Sequence, residues 1–380
     1  MSLFRNIALY ARSRSERRDA QKVLHQFAAW KQEVEQLPFI GRTGRKKLAV
    51  VRLDDIGDYL LFRNFLFAWQ SSTRFADYKL TLIGNAVWKP VFERYDAAAV
   101  DHTIWLDKSR YFSDDQYRLQ FWQEVRSAGF SIVVCPSRTR PLLLDDMVAE
   151  AAAAEQRIGC ANSFAIKQWN ELSDAGYTEL FASTAQQHEF YFNRAFAEYA
   201  TGLDLSGLNL NLSAPSQSEG AFVVCFIGAS AGSKTWPVSY WINLVKLLQQ
   251  QGYTPLLAGG KNEIPVAEQI IAAAKVSSVV GQTNLVETLE KIAQSVAVIT
   301  GDTMAAHAAV AFQKPTVILA NGVNAARFVA YKAAGFSAVK TIYTREYEAS
   351  SKGPSYKAVS RDMHSIQPAQ VLSELQSLLG

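Results

Sequence analysis

Long hydrophobic runs are missing from this sequence: no stretch of about eighteen residues is free of charge and polarity, so it offers no membrane-spanning helix. The N-terminus has arginines where a signal peptide needs an apolar core, which sets the expectation of a cytoplasmic protein. Cysteine is scarce. Cys135, Cys160 and Cys225 stand far apart, with neither zinc spacing nor a disulfide framework, in keeping with a reducing compartment and with small buried residues. His and carboxylates form no compact cluster of familiar metal spacing, so no metal and no other cofactor is expected. The dinucleotide fingerprint G-x-G-x-x-G is absent after the first strand-like run, which argues against a nicotinamide enzyme.

What is present is a chain of 380 residues, 49% apolar and 19% charged, long enough for two ordinary globular domains. The net charge of +4 is unevenly spread, since residues 1–47 hold eleven Lys and Arg against four Asp and Glu. Within this arm Val23, Phe27, Trp30, Val34 and Leu37 recur at helical spacing. A basic helix of this kind suits an anionic membrane surface, or packs on the body or on a partner subunit. No recognised nucleic-acid motif accompanies the charge, so nucleic acid is not expected as a partner.

After Pro38, Gly41 and Gly44 break the helix, strand-like and helix-like runs alternate: "LAVVRL", "YLLFRNFLFAWQ", "KLTLIG", "VWKPVFERY", "HTIWL", "YRLQFWQEVRSAG", "SIVVC". Such alternation implies βαβ units and a parallel sheet. The pattern restarts at "AFVVCFIG", behind a polar stretch rich in Ser, Asn and Gly. The expected organisation is an arm over 1–45, an α/β domain over 46–203, a linker over 204–220, a second α/β domain over 221–350, and a C-terminal segment over 351–380 whose helix crosses back to the first domain. Both domains read as Rossmann-like and doubly wound, facing a central cleft lined by the carboxyl ends of their strands.

Three strand-to-helix turns stand out. In "RLDDIGD", Asp54, Asp55 and Asp58 cluster where a helix presents unpaired N–H groups, and capping alone accounts for at least one of them. "GASAGSKTWP" nearly spells a P-loop: Gly228, Lys234 and Thr235 fit, but Ser233 precedes the lysine and the glycine comes one residue early, at Gly232. Its amides, the hydroxyls of Ser230 and Ser233 and the Lys234 ammonium can together receive a diphosphate, or the lysine is simply solvated on a turn. In "TGDTMAAH", Asp302 can cap the helix and His307 can be a satisfied core histidine. "AGGKNE" sets Glu263 where a carboxylate can accept from ribose hydroxyls, unless it is a plain turn. "PSRTRP" offers Arg138 and Arg140 to an anionic acceptor or to solvent.

Taken in order, these loops resemble glycosyltransferase family 9, the bacterial ADP-heptose:lipopolysaccharide heptosyltransferases, over roughly residues 46–345. "VVRLDDIGDYLL" resembles that family's R-x-D-x-I-G-D turn, "GASAGSKTWP" its G-A-S…S-K-x-W-P loop, "AGGKNE" its G-G-x-x-E turn, and "TGDTMAAHAAVAFQKPTV" its D-[ST]-G-x-x-H helix start followed by G-K-P. The resemblance implies a GT-B architecture and inverting transfer of a heptose or related sugar from a nucleotide diphosphate donor to a lipopolysaccharide core or other surface glycan. Residues 46–203 would bind the acceptor and 221–350 the donor. Asp58 becomes the catalytic base, Lys234 the holder of the donor diphosphate, and Ser230, Ser233, Glu263, Asp302, Thr303 and His307 donor contacts. The enzyme would work in the cytoplasm, on the inner face of the inner membrane. Two departures are plain: Met304 stands where the family has glycine, and "ANGVNAARF" replaces a G-P-T stretch. On them rests an alternative of another class, a catalytically silent sugar-nucleotide-binding or scaffold protein of the same fold.

Overall fold

The apolar runs become the inner strands of two six-stranded sheets. The computed structural model describes residues 14–39, 41, 44, 46–163, 167–182, 187–213, 221–229, 232–323, 325–350 and 363–380. In the first sheet, β1 (Lys47–Arg52), β2 (Lys79–Asn85), β3 (His102–Leu106), β4 (Ile132–Cys135), β5 (Gln156–Cys160) and β6 (Glu179–Phe181) lie in the order β3-β2-β1-β4-β5-β6. The second runs β12-β11-β10-β7-β8-β9, from β7 (Val223–Phe226), β8 (Pro255–Ala258), β9 (Ser277–Ser278), β10 (Ala297–Gly301), β11 (Thr316–Ala320) and β12 (Val339–Tyr343). All pairings are parallel, with Val50 opposite both Leu82 and Val134, and Cys225 opposite both Leu257 and Ile299. Both sheets share the doubly wound order 3-2-1-4-5-6, whose strand direction of winding reverses between β1 and β4 and between β7 and β10. Ligands of such sheets bind at the carboxyl ends of the strands flanking that switch. Cys135, Cys160 and Cys225 are buried free thiols.

The chain divides into two compact units that do not follow sequence order. The first takes the described residues of Met1–Asp55, Phe65–Ala185 and Phe192–Leu208; the second takes those of Ile56–Asn64, Gln186–Tyr191 and Asn209–Gly380. Helix Ile56–Phe62, which follows β1 directly, thus belongs with the second sheet. Arg63 donates to the Asn211 carbonyl at 2.6 Å and Asn64 to the Asn211 side chain at 2.9 Å, holding this segment there. Tyr191 does the same for the second excursion, through its hydroxyl to the Ala334 carbonyl at 2.7 Å. Residues 214–220 of the expected linker, and residues 351–362, lie outside the described residues.

Of the alternatives left open for the arm, its apolar stripe takes packing on the body: on helix Arg14–Gln36, Val23, Phe27, Trp30 and Val34 are buried in the core of the first unit. Trp30 meets Trp122 and Tyr111 edge to face at 5.5 and 5.8 Å, and the Arg118 guanidinium covers its ring at 4.2 Å. The expectation for the C-terminus is corrected: its helix, Pro368–Leu379, stays in the second unit. It buries Val371 and Leu375 in that core, and the Trp236 indole donates to the Ile366 carbonyl at 3.0 Å. Helix Val238–Gln250 ends as its sequence suggests, with Gly252 at a positive φ of 82° that favours glycine.

Candidate active site

The switch point of the second unit is closed by an ion pair. Lys234 sits on the 3₁₀ turn Gly232–Lys234 beyond β7, Asp302 directly follows β10, and the lysine Nζ donates to Asp302 Oδ2 in a short contact. Only 17% of the lysine side chain and 7% of the aspartate are exposed, so each charge depends on the other for compensation. The Asn321 amide donates to the Ser233 carbonyl at 2.9 Å and steadies the same turn. The Ser233 side chain is exposed, and Ser230 lies outside the described residues.

Glu263 closes the site from the side of β8. A Cβ placed on Gly228 would lie 3.5 Å from the Glu263 carboxyl carbon, and one on Gly260 would lie 3.1 Å from its Oε2. The glycines of these two loops therefore allow the Glu263 carboxylate to lie against bare backbone.

Thr303, and not Asp302, caps helix Met304–Ala311: its hydroxyl accepts from the Ala305 amide at 3.2 Å and pairs with Thr300 at 3.0 Å. Asp302 is thereby left to Lys234. His307 is buried on this helix, 2.6 Å through Nδ1 from the Tyr331 hydroxyl. Burial pushes its pKa down to about 4, with the nearby Asp302 only partly opposing, so the imidazole is neutral near pH 7. Helix Ile56–Phe62 rests on the histidine at Gly57, where any Cβ would come within 2.7 Å of His307 Cδ2. The glycine of "IGD" is there because a neighbouring ring fills the space.

Asp58 follows in the first turn of that helix, 17% exposed, with Arg327 Nη2 3.6 Å from its Oδ1. Arg327 also donates to Glu189, through Nε at 2.7 Å and Nη2 at 2.9 Å. The other two carboxylates of "RLDDIGD" are engaged in the first unit. Asp54 pairs with the buried Arg52 at 2.8 Å, and Asp55 accepts from Lys108 at 2.8 Å.

Lys234, Glu263, Asp302, Thr303, His307 and Asp58 therefore belong to one unit, whereas Arg138 and Arg140 belong to the other. Arg138 is partly exposed, its guanidinium 4.1 Å from the Phe192 ring. Arg140 is not available to an acceptor: it is fully buried, bonded to Asp146 at 3.1 Å and Asp174 at 2.7 Å, and stacked on Tyr177. Burial pushes Asp146 up to about 7 and Asp145 up to about 6, with Arg140 opposing in both. Sequence reasoning missed Glu189, Arg327, Tyr331 and Asn321. Three of these lie in or just beyond the stretch noted only as a departure.

Two Rossmann-like units, one with a lysine, carboxylates and close-set glycines at its switch point, define a chain of the GT-B class. Residues 147–344, somewhat over half of the chain, match glycosyltransferase family 9 (heptosyltransferase), and the chain belongs to that family. It is similar to lipooligosaccharide heptosyltransferase 2 of Haemophilus influenzae, 34% identical over 99 residues, covering 24% of this chain and 29% of that protein. To lipopolysaccharide heptosyltransferase 2 of Salmonella typhimurium it is 29% identical over 160 residues, 40% of this chain and 45% of that one. The matched stretches thus span less than half the length of these relatives. The solved structure of E. coli ADP-heptose lps heptosyltransferase II has the same fold, with a TM-score of 0.64 at 19% identity, over 88% of this chain and 98% of that one.

Proposed function

We propose that this chain is an inverting glycosyltransferase that moves a heptose or related sugar from an ADP-linked donor to a lipopolysaccharide core or other bacterial surface glycan. The observation that carries the reading is the Lys234–Asp302 pair across the switch point, with Glu263 packed on the glycines beside it. A donor diphosphate arriving here draws the ammonium toward its own oxygens, while Glu263 accepts from the ribose and Thr303 fixes the helix start. As the acceptor oxygen attacks the anomeric carbon, Asp58 takes its proton and the diphosphate leaves with the electron pair of the glycosidic bond, its charge held by Lys234 and the loop amides. The scheme calls for no metal ion. Arg138 is assigned to the acceptor; Arg140 is withdrawn from that role. The names of its relatives, lipopolysaccharide heptosyltransferase 2 and ADP-heptose lps heptosyltransferase II, support this choice of substrates; we further propose the inner face of the inner membrane as its workplace.

Calorimetric titration with ADP tests the donor site. Lys234→Ala should weaken binding roughly tenfold or more, the weight of a charge-assisted hydrogen bond. Unchanged affinity would move the diphosphate away from this loop. The silent-protein alternative requires that no sugar nucleotide be turned over at all.

A further inference from the structure

We propose that Arg327, clamped by the buried Glu189, is a positioning residue that sets the proton affinity and the direction of the Asp58 carboxylate; this rests on Asp58 being the acceptor's base. Glu189 is fully buried at the first turn of helix Glu189–Thr201, and a carboxylate there requires a partner. Arg327 answers with two bonds, at 2.7 and 2.9 Å, and its guanidinium also lies 4.5 Å from the Phe328 ring. A planar fork held in this way cannot swing. Its Nη2 is therefore presented to Asp58 Oδ1 at a fixed 3.6 Å.

That distance is longer than a hydrogen bond and lies toward the long end for an ion pair. The cation favours the charged form of Asp58 and fixes one side of the carboxylate without donating a hydrogen bond to it. Glu189 adds the counterweight, because its charge offsets part of what Arg327 exerts. On helix Met304–Ala311, His307 faces the same segment through Gly57 but is neutral, and the Lys234–Asp302 pair beside it carries no net charge. Arg327 and Glu189 thus bear on Asp58 with opposite sign. The stretch "ANGVNAARF", a departure from the family pattern, is what delivers this arginine.

The two partners must act in opposite directions. Without Arg327, Asp58 faces Glu189 uncompensated and binds a proton more readily; without the Glu189 charge, Arg327 acts on Asp58 alone and the carboxylate becomes more acidic. The full-length protein, labelled with ¹³C at aspartate carboxyls and free of substrate, reports this directly by NMR, the Asp58 signal being the one absent from Asp58→Asn. Arg327→Gln should raise its titration midpoint by about one unit or more, Glu189→Gln should lower it, and Arg327→Lys should return most of the shift. If Arg327→Gln does not fold, Glu189→Gln and Arg327→Lys carry the same comparison. Midpoints that stay at the native value, or that move in one direction in both charge-removing variants, overturn the proposal. Wild-type turnover by Asp58→Asn would instead overturn the base assignment, while leaving opposed NMR shifts intact.

Discussion

Gly57→Ala separates helix propensity from packing. In an isolated helix the change is favourable by about 1 kcal/mol, because alanine loses less backbone freedom than glycine. Here the new methyl would lie 2.7 Å from His307 Cδ2 and 3.2 Å from its Nε2, where ordinary contact begins at 3.4 Å. The ring cannot readily yield, since Nδ1 is held by the Tyr331 hydroxyl at 2.6 Å. Helix Ile56–Phe62 must therefore retreat by about 0.7 Å at this point, and overpacking of this kind costs typically about 1–3 kcal/mol. The expected net result is a loss of stability in urea unfolding, against the sign of propensity. Asp58 moves with the helix, and displacement of a reacting group by about 1 Å can cost on the order of a hundredfold in rate, so turnover should fall roughly ten- to hundredfold. His307→Ala in the same chain makes room for the methyl, and the two changes should show a favourable coupling of about 1 kcal/mol. A Gly57→Ala protein more stable than the native one and equally active would refute this account of the glycine.

Trp30→Ala should destabilise the protein by about 3–5 kcal/mol, because it removes a buried indole from the contact between the arm and the first unit; an unchanged melting temperature would show that the arm is dispensable. His307 resists protonation until about pH 4 in the folded chain but titrates near 6.5 when unfolded, so its contribution is complete above 6.5 and is lost as pH falls toward 4. The loss amounts to about 3 kcal/mol, and His307→Gln should flatten the fall in urea stability between pH 7 and 4.5 by that order; an identical slope would remove His307 as its source.

The sequence made the local features legible. Lys234, Glu263 and Asp302 each fall at a strand-to-helix turn, so alternation of apolar runs was enough to place them at the carboxyl ends of β7, β8 and β10. Tertiary partners were not legible in the same way. Glu189 and Arg327 are separated by 138 residues, and an Arg in a polar stretch carries no sign of the carboxylate it will meet. Asp54, Asp55 and Asp58 read alike until the fold sends the first two into contacts with Arg52 and Lys108 and the third to Arg327. Periodicity in the arm showed that the stripe around Trp30 must be covered, but it could not say by what. Arg140 misled for a related reason: a charge in a loop reads as solvated, and only the fold reveals Asp146 and Asp174 around it.

The central claim is that Asp58 takes the acceptor's proton. It is tested most directly by the turnover of Asp58→Asn with the sugar nucleotide that a thermal-shift panel selects as donor, acceptor saturating, and Asp54→Asn and Asp55→Asn measured beside it. The variant should bind ADP as the native protein does and lose turnover by about a hundredfold to ten-thousandfold. Sugar transfer by Asp58→Asn at the native rate, or an equal loss in Asp54→Asn or Asp55→Asn, would contradict the assignment.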